Sequence, residues 1–534
     1  MRDVRSSSGV VVAADSFAAE AGASILRRGG NAVDAAIAAL LVECVVQPHN
    51  VGIGGYAGAM VLYRADDGEI ATVDFDSVAP RAARPGMFVS RGCGHNRDAV
   101  SDGGVTGPGA NERGFLSVTV PPMIAGMAAA LARYGSMPFS DVAEAAEAYA
   151  ETGFPASSKL VSALLRFSQH ADPRSVSVLL PECRVPSVGD TFVQQDLARL
   201  INRLRTEGPG AFYSGDIPSM IVRSVRSGGG IIEEDDFEDV RPRVGNAISV
   251  ACGGCVVHTP MPPSGGLTAL QTVKVADLAG VSPSDIGTAR YYHLLAEAAK
   301  HAWADRFAWI GDPLIVDVPV ERLLSESRAA DILDKISSGT PAHQAPTGAV
   351  GGGHTVHLVV ADRHGNVVSL TATHGSWFGS MVAVEGLGLV LGHGMSRFDP
   401  VPGRPNSIAP GKRMQHNMSP LLITKDGRPY CAVGLPGGRK IVNVSALLGH
   451  CIAGLGLTCG EAIDLPRFHV EGEGPVTVDS EDLANSLRLE YGDGYQVAVA
   501  NRRIAGPVAG LIIDESTGDA LAASEVGPEC VASA

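Results

Sequence analysis

The stretch SSGTPAHQAPTGAVGGGH (337–354), followed directly by TVHLVVADRHGNVVSLTAT (355–373), decides how this chain is read. Its first part is small residues, glycine and proline without an apolar period, which is the composition of a linker. The second part predicts a β-hairpin: a strand TVHLVVAD (355–362), a polar turn RHGN (363–366) and a strand VVSLTAT (367–373). A flexible segment that stops at a threonine heading a strand has a chemical use. If the bond between His354 and Thr355 is cut, Thr355 becomes an N-terminus. Its own α-amine, with an ordinary pKa of about 7.7–8.0, can then act as base for its hydroxyl. Nucleophile and base come from one residue, the N-terminal threonine variant of triad logic. Before the cut, the same hydroxyl can attack the His354 carbonyl in an N→O acyl shift, so one site serves maturation and catalysis. The competing reading is that Thr355 is a β-favouring residue opening an ordinary strand.

Upstream of the linker, residues 16–46 carry a helical pattern broken at Arg28-Gly29-Gly30-Asn31, where glycine suits a helix end and asparagine a new start. The glycine-rich VGIGGYAGAMVLY (51–63) leads into an apolar strand; no GK[ST] follows, so it is not a phosphate loop. A strand ATVDF (71–75) comes next. Residues 121–336 read as mostly helical, including YYHLLAEAAKHAWADRFAWI (291–310), with a Pro/Gly loop TPMPPSGGL (259–267) between helices.

Composition bounds the function. The chain has 534 residues, 45% hydrophobic and 19% charged, enough for a large buried core, and a net charge of −15 with no local basic patch, which excludes ordinary nucleic-acid binding. Nine cysteines at scattered positions suit reduced thiols. The CGGC at 252–255 lacks the second ligand pair a zinc site needs and reads as small residues at a strand edge. No metal, nucleotide or prosthetic-group signature is present, so no cofactor is expected. The N-terminus does not follow the order of a secretory signal, and the most apolar helical stretch, AAIAALLVECVV (35–46), is too short to span a bilayer and contains Glu43. The expectation is a cytoplasmic protein with no membrane partner.

The ordered motifs then resemble the γ-glutamyltransferase family of N-terminal nucleophile hydrolases. GGNAVDAAIAA (29–39), QPHNVGIGGYAG (47–58), DFDSVAP (74–80), GPGAFYSG (208–215), PPSGGL (262–267), ADRFAWIGDP (304–313), MSP (418–420) and PGG (436–438) carry the likeness, and TVHLVVADRHGN (355–366) is similar to the family's TTHxSVVDxxGN. The resemblance implies a four-layer αββα sandwich, an α/β (α+β) fold. It also implies self-cleavage between His354 and Thr355 into a large piece (1–354) and a small catalytic piece (355–534) that stay together as a heterodimer in one globule. It places the nucleophile on Thr355, a contacting hydroxyl on Thr373, and an oxyanion hole on the backbone N–H groups of Gly437 and Gly438, where a Cβ would obstruct the approach.

The substrate-binding positions depart from the family. Its FRE-type motif, whose arginine clamps a glutamyl α-carboxylate, appears as FDS, leaving Asp76. Its serine pair before MSP is His416 and Asn417, its aspartate for the α-amine aligns with Arg397, and an asparagine after the second strand aligns with Gly375. A carboxylate replaces an arginine and an arginine a carboxylate, so a glutamyl head group in the usual pose would meet like charges at both ends. Asp76 and Arg397 either bind substrate or pair with each other. The expected enzyme forms an acyl-Thr355 intermediate on a small carboxylate-bearing substrate and hydrolyses it. The bond is an amide, or a C–C bond as in homologues of alkylproline antibiotic biosynthesis. The alternatives are a genuine γ-glutamyl hydrolase or transferase on glutathione-like compounds, and an unprocessed, non-catalytic homologue.

Overall fold

The predicted hairpin forms the middle of a large sheet. The computed structural model describes residues 4–90, 97–101, 104–342, 354–472, 474–492 and 494–534. In chain order the strands of the two main sheets are β1 (Val4–Ser6), β2 (Gly9–Val12), β3 (Ala57–Tyr63), β4 (Ile70–Asp74), β5 (Arg243–Asn246), β6 (Ile248–Cys252), β7 (Cys255–Thr259), β8 (His354–Asp362), β9 (Val367–Gly375), β10 (Leu421–Lys425), β11 (Arg428–Gly434), β12 (Ala509–Ile513), β13 (Ala520–Ser524) and β14 (Val531–Ser533). One seven-stranded sheet has the order β5-β4-β3-β9-β8-β2-β14 and the other β1-β13-β12-β11-β10-β7-β6. Every pairing within them is antiparallel.

Side-chain alternation along the strands sorts the core into layers. Val359 and Ala361 of β8 face inward with Val10, Val12 and Val61, and meet Leu422, Ala432 and Leu511 of the other sheet. Val356, Leu358 and Val360 face the opposite way, under helices α1 (Ser16–Arg27) and α2 (Ala32–Val46), in an apolar cluster that extends to α3 (Ser158–His170). The outer face of the second sheet, with Val257, Ile423 and Val433, packs under α4 (Gly266–Leu278), α5 (Ala289–Trp309) and α6 (Lys440–Ala453). Helix, sheet, sheet and helix make the expected αββα sandwich.

Helix α2 shows why its apolar run was too short for a membrane yet so continuous: all fifteen residues are buried. Asn31 caps it, accepting from the backbone N–H groups of Val33 and Asp34, while Asp34 accepts from the Asn31 N–H. No helix among the described residues is long and apolar enough to cross a membrane. The helical reading of 121–336 needs one correction, because β5, β6 and β7 interrupt it. Residues 248–252 alternate buried and exposed, a period of two, and Gly253 and Gly254 turn the chain with positive φ so that Cys252 faces Cys255 across the hairpin. The CGGC is that turn. Among the described residues no group of three or more His, Cys, Asp or Glu side chains is placed to hold a metal ion.

Candidate active site

Thr355 is the second residue of β8 and pairs with Thr373 of β9; a register shift between His354 and Thr355 brings His354 opposite Gly375. Both threonines are buried. The Thr355 hydroxyl donates to Thr373 Oγ1 at 3.0 Å, the Gly375 N–H donates to the same oxygen at 2.7 Å, and the Thr373 hydroxyl donates to the His354 carbonyl at 2.7 Å. The His354 carbonyl is therefore polarised by the same hydroxyl group that accepts from Thr355.

Gly437 and Gly438 follow β11. Ser369, opposite Val359 in the hairpin, donates to the Val433 carbonyl at 3.4 Å, and the next residue, Gly434, lies against the His357 ring, where a Cβ would come within 2.4 Å. Each step along β11 thus moves toward the Thr355 end of β8. Gly437 and Gly438 have φ of +153° and +65°, and a Cβ on Gly437 would meet Ala505 at 2.6 Å. The turn runs into α6, whose start has no side-chain cap, so its N–H groups add positive potential there.

The charged positions do not pair with each other. Asp76, fully enclosed, lies 3.0 Å from His416 Nε2 and 3.5 Å from Arg243 Nη2, while Arg243 also reaches Asp74 at 2.8 Å. Burial opposes ionisation of Asp76, yet His416, Arg243 and Arg413 together hold its carboxyl below the usual aspartate value. Its neighbour Asp74 moves the other way, to about 7, because burial and the charge on Asp76 outweigh Arg243. Arg397 is 8% exposed, lies over the Tyr56 ring at 5.5 Å and contacts His393 Nε2 at 3.3 Å. No carboxylate pairs with it among the described residues, and its Nε has no partner. A Cβ on Gly375 would stand 2.7 Å from Arg397 Nη2 and 2.2 Å from His393 Nε2, so the guanidinium abuts the residue that supports Thr373. Arg306, fully buried, fixes the adjoining loop by donating to the carbonyls of Ser264 and His416 and to Asn417 Oδ1 at 3.4 Å.

Sequence reasoning missed His49, His374, His393 and the cleft. Burial lowers His49, His374 and His393 to about 3 and His354 to about 4, which favours neutral rings near Thr355. His374 directly follows Thr373 in the strand, and His49 lies in the QPHN motif, which were the available signals. A cleft of about 650 Å³ opens at His354, lined in part by Arg113, Phe115, Arg166, Trp377 and Met381. The His354 ring packs against Trp377 in a tilted arrangement, with centroids 4.8 Å apart and planes at 33°.

Known proteins agree with this architecture. The family model described as Gamma-glutamyltranspeptidase matches residues 18–526. The chain is 32% identical over 495 residues to a glutathione hydrolase proenzyme of Pseudomonas sp. (strain A14), covering 87% of this chain and 82% of the relative. It is 34% identical over 510 residues to the acylase ACY 1 proenzyme of Pseudomonas sp. (strain V22), covering 94% and 89%. The crystal structure of cephalosporin acylase from Bacillus halodurans superposes with a TM-score of 0.87 at 26% identity, covering 100% of this chain and 97% of that one. The chain belongs to the gamma-glutamyltranspeptidase family and is an enzyme of the N-terminal nucleophile hydrolase type.

Proposed function

We propose that this chain is a self-processing threonine amidohydrolase whose acyl group carries a carboxylate at its far end and no ammonium, as in a glutaryl amide. In maturation the Thr355 hydroxyl adds to the His354 carbonyl, the peptide C–N bond breaks, and the His354 acyl group passes to Thr355 Oγ. Water then cleaves that ester, leaving a carboxyl terminus at His354 and a free amine on Thr355. The pieces are 1–354 and 355–534. They stay together because β8 and β9, from the second piece, lie between β3 and β2 of the first. In turnover the α-amine takes the Thr355 proton, the hydroxyl attacks the substrate carbonyl, and the Gly437 and Gly438 N–H groups receive the tetrahedral oxygen. The amine leaves with the proton and water releases the acid.

The observation that carries the acyl assignment is Arg397, a buried guanidinium against Gly375 with no carboxylate partner among the described residues. An uncompensated buried cation beside a nucleophile favours an anionic substrate group. Asp76, which stands where the resemblance has the family's arginine, is already held by His416 and Arg243. The names of the relatives, two proenzymes and two acylases, support processing and amide hydrolysis. Intact mass spectrometry tests the reading. The purified protein should resolve into two masses divided before Thr355, and a glutaryl anilide should leave a transient glutaryl mass on the smaller one. A single uncut chain rejects self-processing. Faster acylation by the γ-glutamyl anilide than by the glutaryl one rejects the assignment in favour of a γ-glutamyl enzyme.

A further inference from the structure

The acyl group stays on Thr355 through the covalent intermediate, so its site can be closed. The leaving group must escape, so its site must open to solvent. Arg397 is buried, whereas the cleft at His354 has exposed arginines on its rim. We propose that this cleft is a leaving-group subsite for a planar, carboxylate-bearing amine, its ring taken up against Trp377 and its carboxylate by Arg113 and Arg166. The inference rests on the reading of Thr355 above.

Three observations converge. Arg113 and Arg166 come from separate segments, the loop before Phe115 and helix α3, yet line one cavity, and neither has an ion-pair partner among the described residues. The acids in the lining do not cancel them: Asp172 is committed to Arg174 at 2.9 Å and to the Arg174 backbone N–H, which leaves Glu112 against two arginines. Arg166 is also close enough to His354 to disfavour its protonation, after burial itself, so its positive field reaches the scissile position. The floor suits a ring, since Trp377, which already packs at a tilt against the imidazole of His354, lines the cavity together with Phe115 and Met381. A cavity of about 650 Å³ is of the size that takes a small-molecule fragment.

Two anilides that share one glutaryl group test this, one released as 4-nitroaniline and the other as 5-amino-2-nitrobenzoate. The processed enzyme should prefer the carboxylated anilide by about tenfold in kcat/KM, the scale of one charge-assisted contact, and less at high salt. In the Arg113→Ala/Arg166→Ala double variant the ratio should fall to about one. A ratio near one in the unaltered enzyme, or a preference that survives in the variant, overturns the proposal. A binding arm separates this from failure of the acyl-Thr355 reading. By calorimetry 5-amino-2-nitrobenzoate should bind the processed protein more tightly than 4-nitroaniline does, and should lose that advantage in the double variant, whether or not either anilide is hydrolysed. Binding to an uncut Thr355→Ala chain but not to the processed protein would also overturn it, since the arginines would then serve the new carboxyl terminus at His354.

Discussion

The Thr355 hydroxyl donates to Thr373 Oγ1 at 3.0 Å, and the Thr373 hydroxyl in turn donates to the His354 carbonyl at 2.7 Å. In the proposed maturation these two contacts join the attacking oxygen to the carbonyl it attacks. Thr373→Val keeps the strand shape and removes the donor. Self-cleavage should slow by about 10²–10³-fold, the cost of losing one preorganised donor to a developing oxyanion. Thr373→Ser should recover most of the rate, and Thr355→Ala should remain one chain indefinitely. Band intensities on a denaturing gel over days check all three. Equal cleavage rates for Thr373→Val and the unaltered chain would remove Thr373 from the mechanism.

Arg397 is expected to trade stability for recognition. A buried guanidinium without a carboxylate costs folding energy, and a well-packed apolar replacement is often neutral or stabilising. Arg397→Met should raise stability by about 1–2 kcal/mol in urea unfolding. It should also lower kcat/KM for a glutaryl anilide by about a hundredfold, the scale of one charge-assisted contact in a closed site, and change a butyryl anilide far less. A variant that loses both substrates equally would show that Arg397 supports the fold and does not read the acyl group.

The hairpin, the capped break before Asn31, the buried helix α2 and the position of Thr355 were legible because each is written in local pattern: alternation, capping chemistry, unbroken apolarity. The strands β5 to β7 were not, since four- and five-residue strands flanked by long helices carry little period of their own. The partners of Asp76 were illegible for another reason. Arg243 stands on β5, beside β4, and His416 lies far along the chain, so their meeting is a property of sheet order. The residues at positions 76 and 397 were visible in the sequence, but only topology shows that Asp76 meets His416 and Arg243, while no carboxylate pairs with Arg397 among the described residues. The cleft arginines were invisible for the same reason, because an exposed Arg on a helix is ordinary until a loop from elsewhere completes a wall.

Acid should destabilise the protein before its carboxylates titrate in the ordinary way. Burial lowers nine described histidines below the ordinary value of 6.5, with His49, His357, His374 and His393 at about 3 and His258, His354 and His450 at about 4. Between pH 6.5 and 4 the unfolded chain binds protons that the folded chain refuses, so stability falls as pH falls through that window. Each such histidine adds up to about 1.4 kcal/mol per pH unit. The raised carboxyls of Asp15, Glu43, Asp74 and Asp236 work in the opposite direction but are fewer. Urea midpoints at pH 7.5 and 5.0 should therefore differ, with the lower value at pH 5.0. A midpoint that rises on acidification would mean that these rings are protonated in the fold.

Gly375 and Arg397 are best understood as one exchange. Gly375 has φ +98°, and any side chain there would press on His393 and on the Arg397 guanidinium. His393 has little freedom to yield, because its Nδ1 lies 2.8 Å from the Glu112 carbonyl oxygen. The resemblance read from the sequence implies asparagine and aspartate at these two positions; here the guanidinium abuts the space a side chain at 375 would take. Gly375→Asn alone should cost about 2–4 kcal/mol, combining overpacking with left-handed backbone, which asparagine tolerates better than most residues. Arg397→Asp alone leaves a cavity and a buried carboxylate beside Tyr56. Together the two changes should cost at least about 1 kcal/mol less than their sum, since losing the guanidinium relieves part of the crowding at 375 and the new side chain there fills part of the cavity. Urea unfolding of the two single variants and the double variant measures that coupling. The same double variant should shift acylation of Thr355 from the glutaryl toward the γ-glutamyl anilide, because an aspartate at 397 offers the ammonium a partner. Strict additivity in stability, with unchanged acyl preference, would separate the two positions and return Arg397 to a purely structural role.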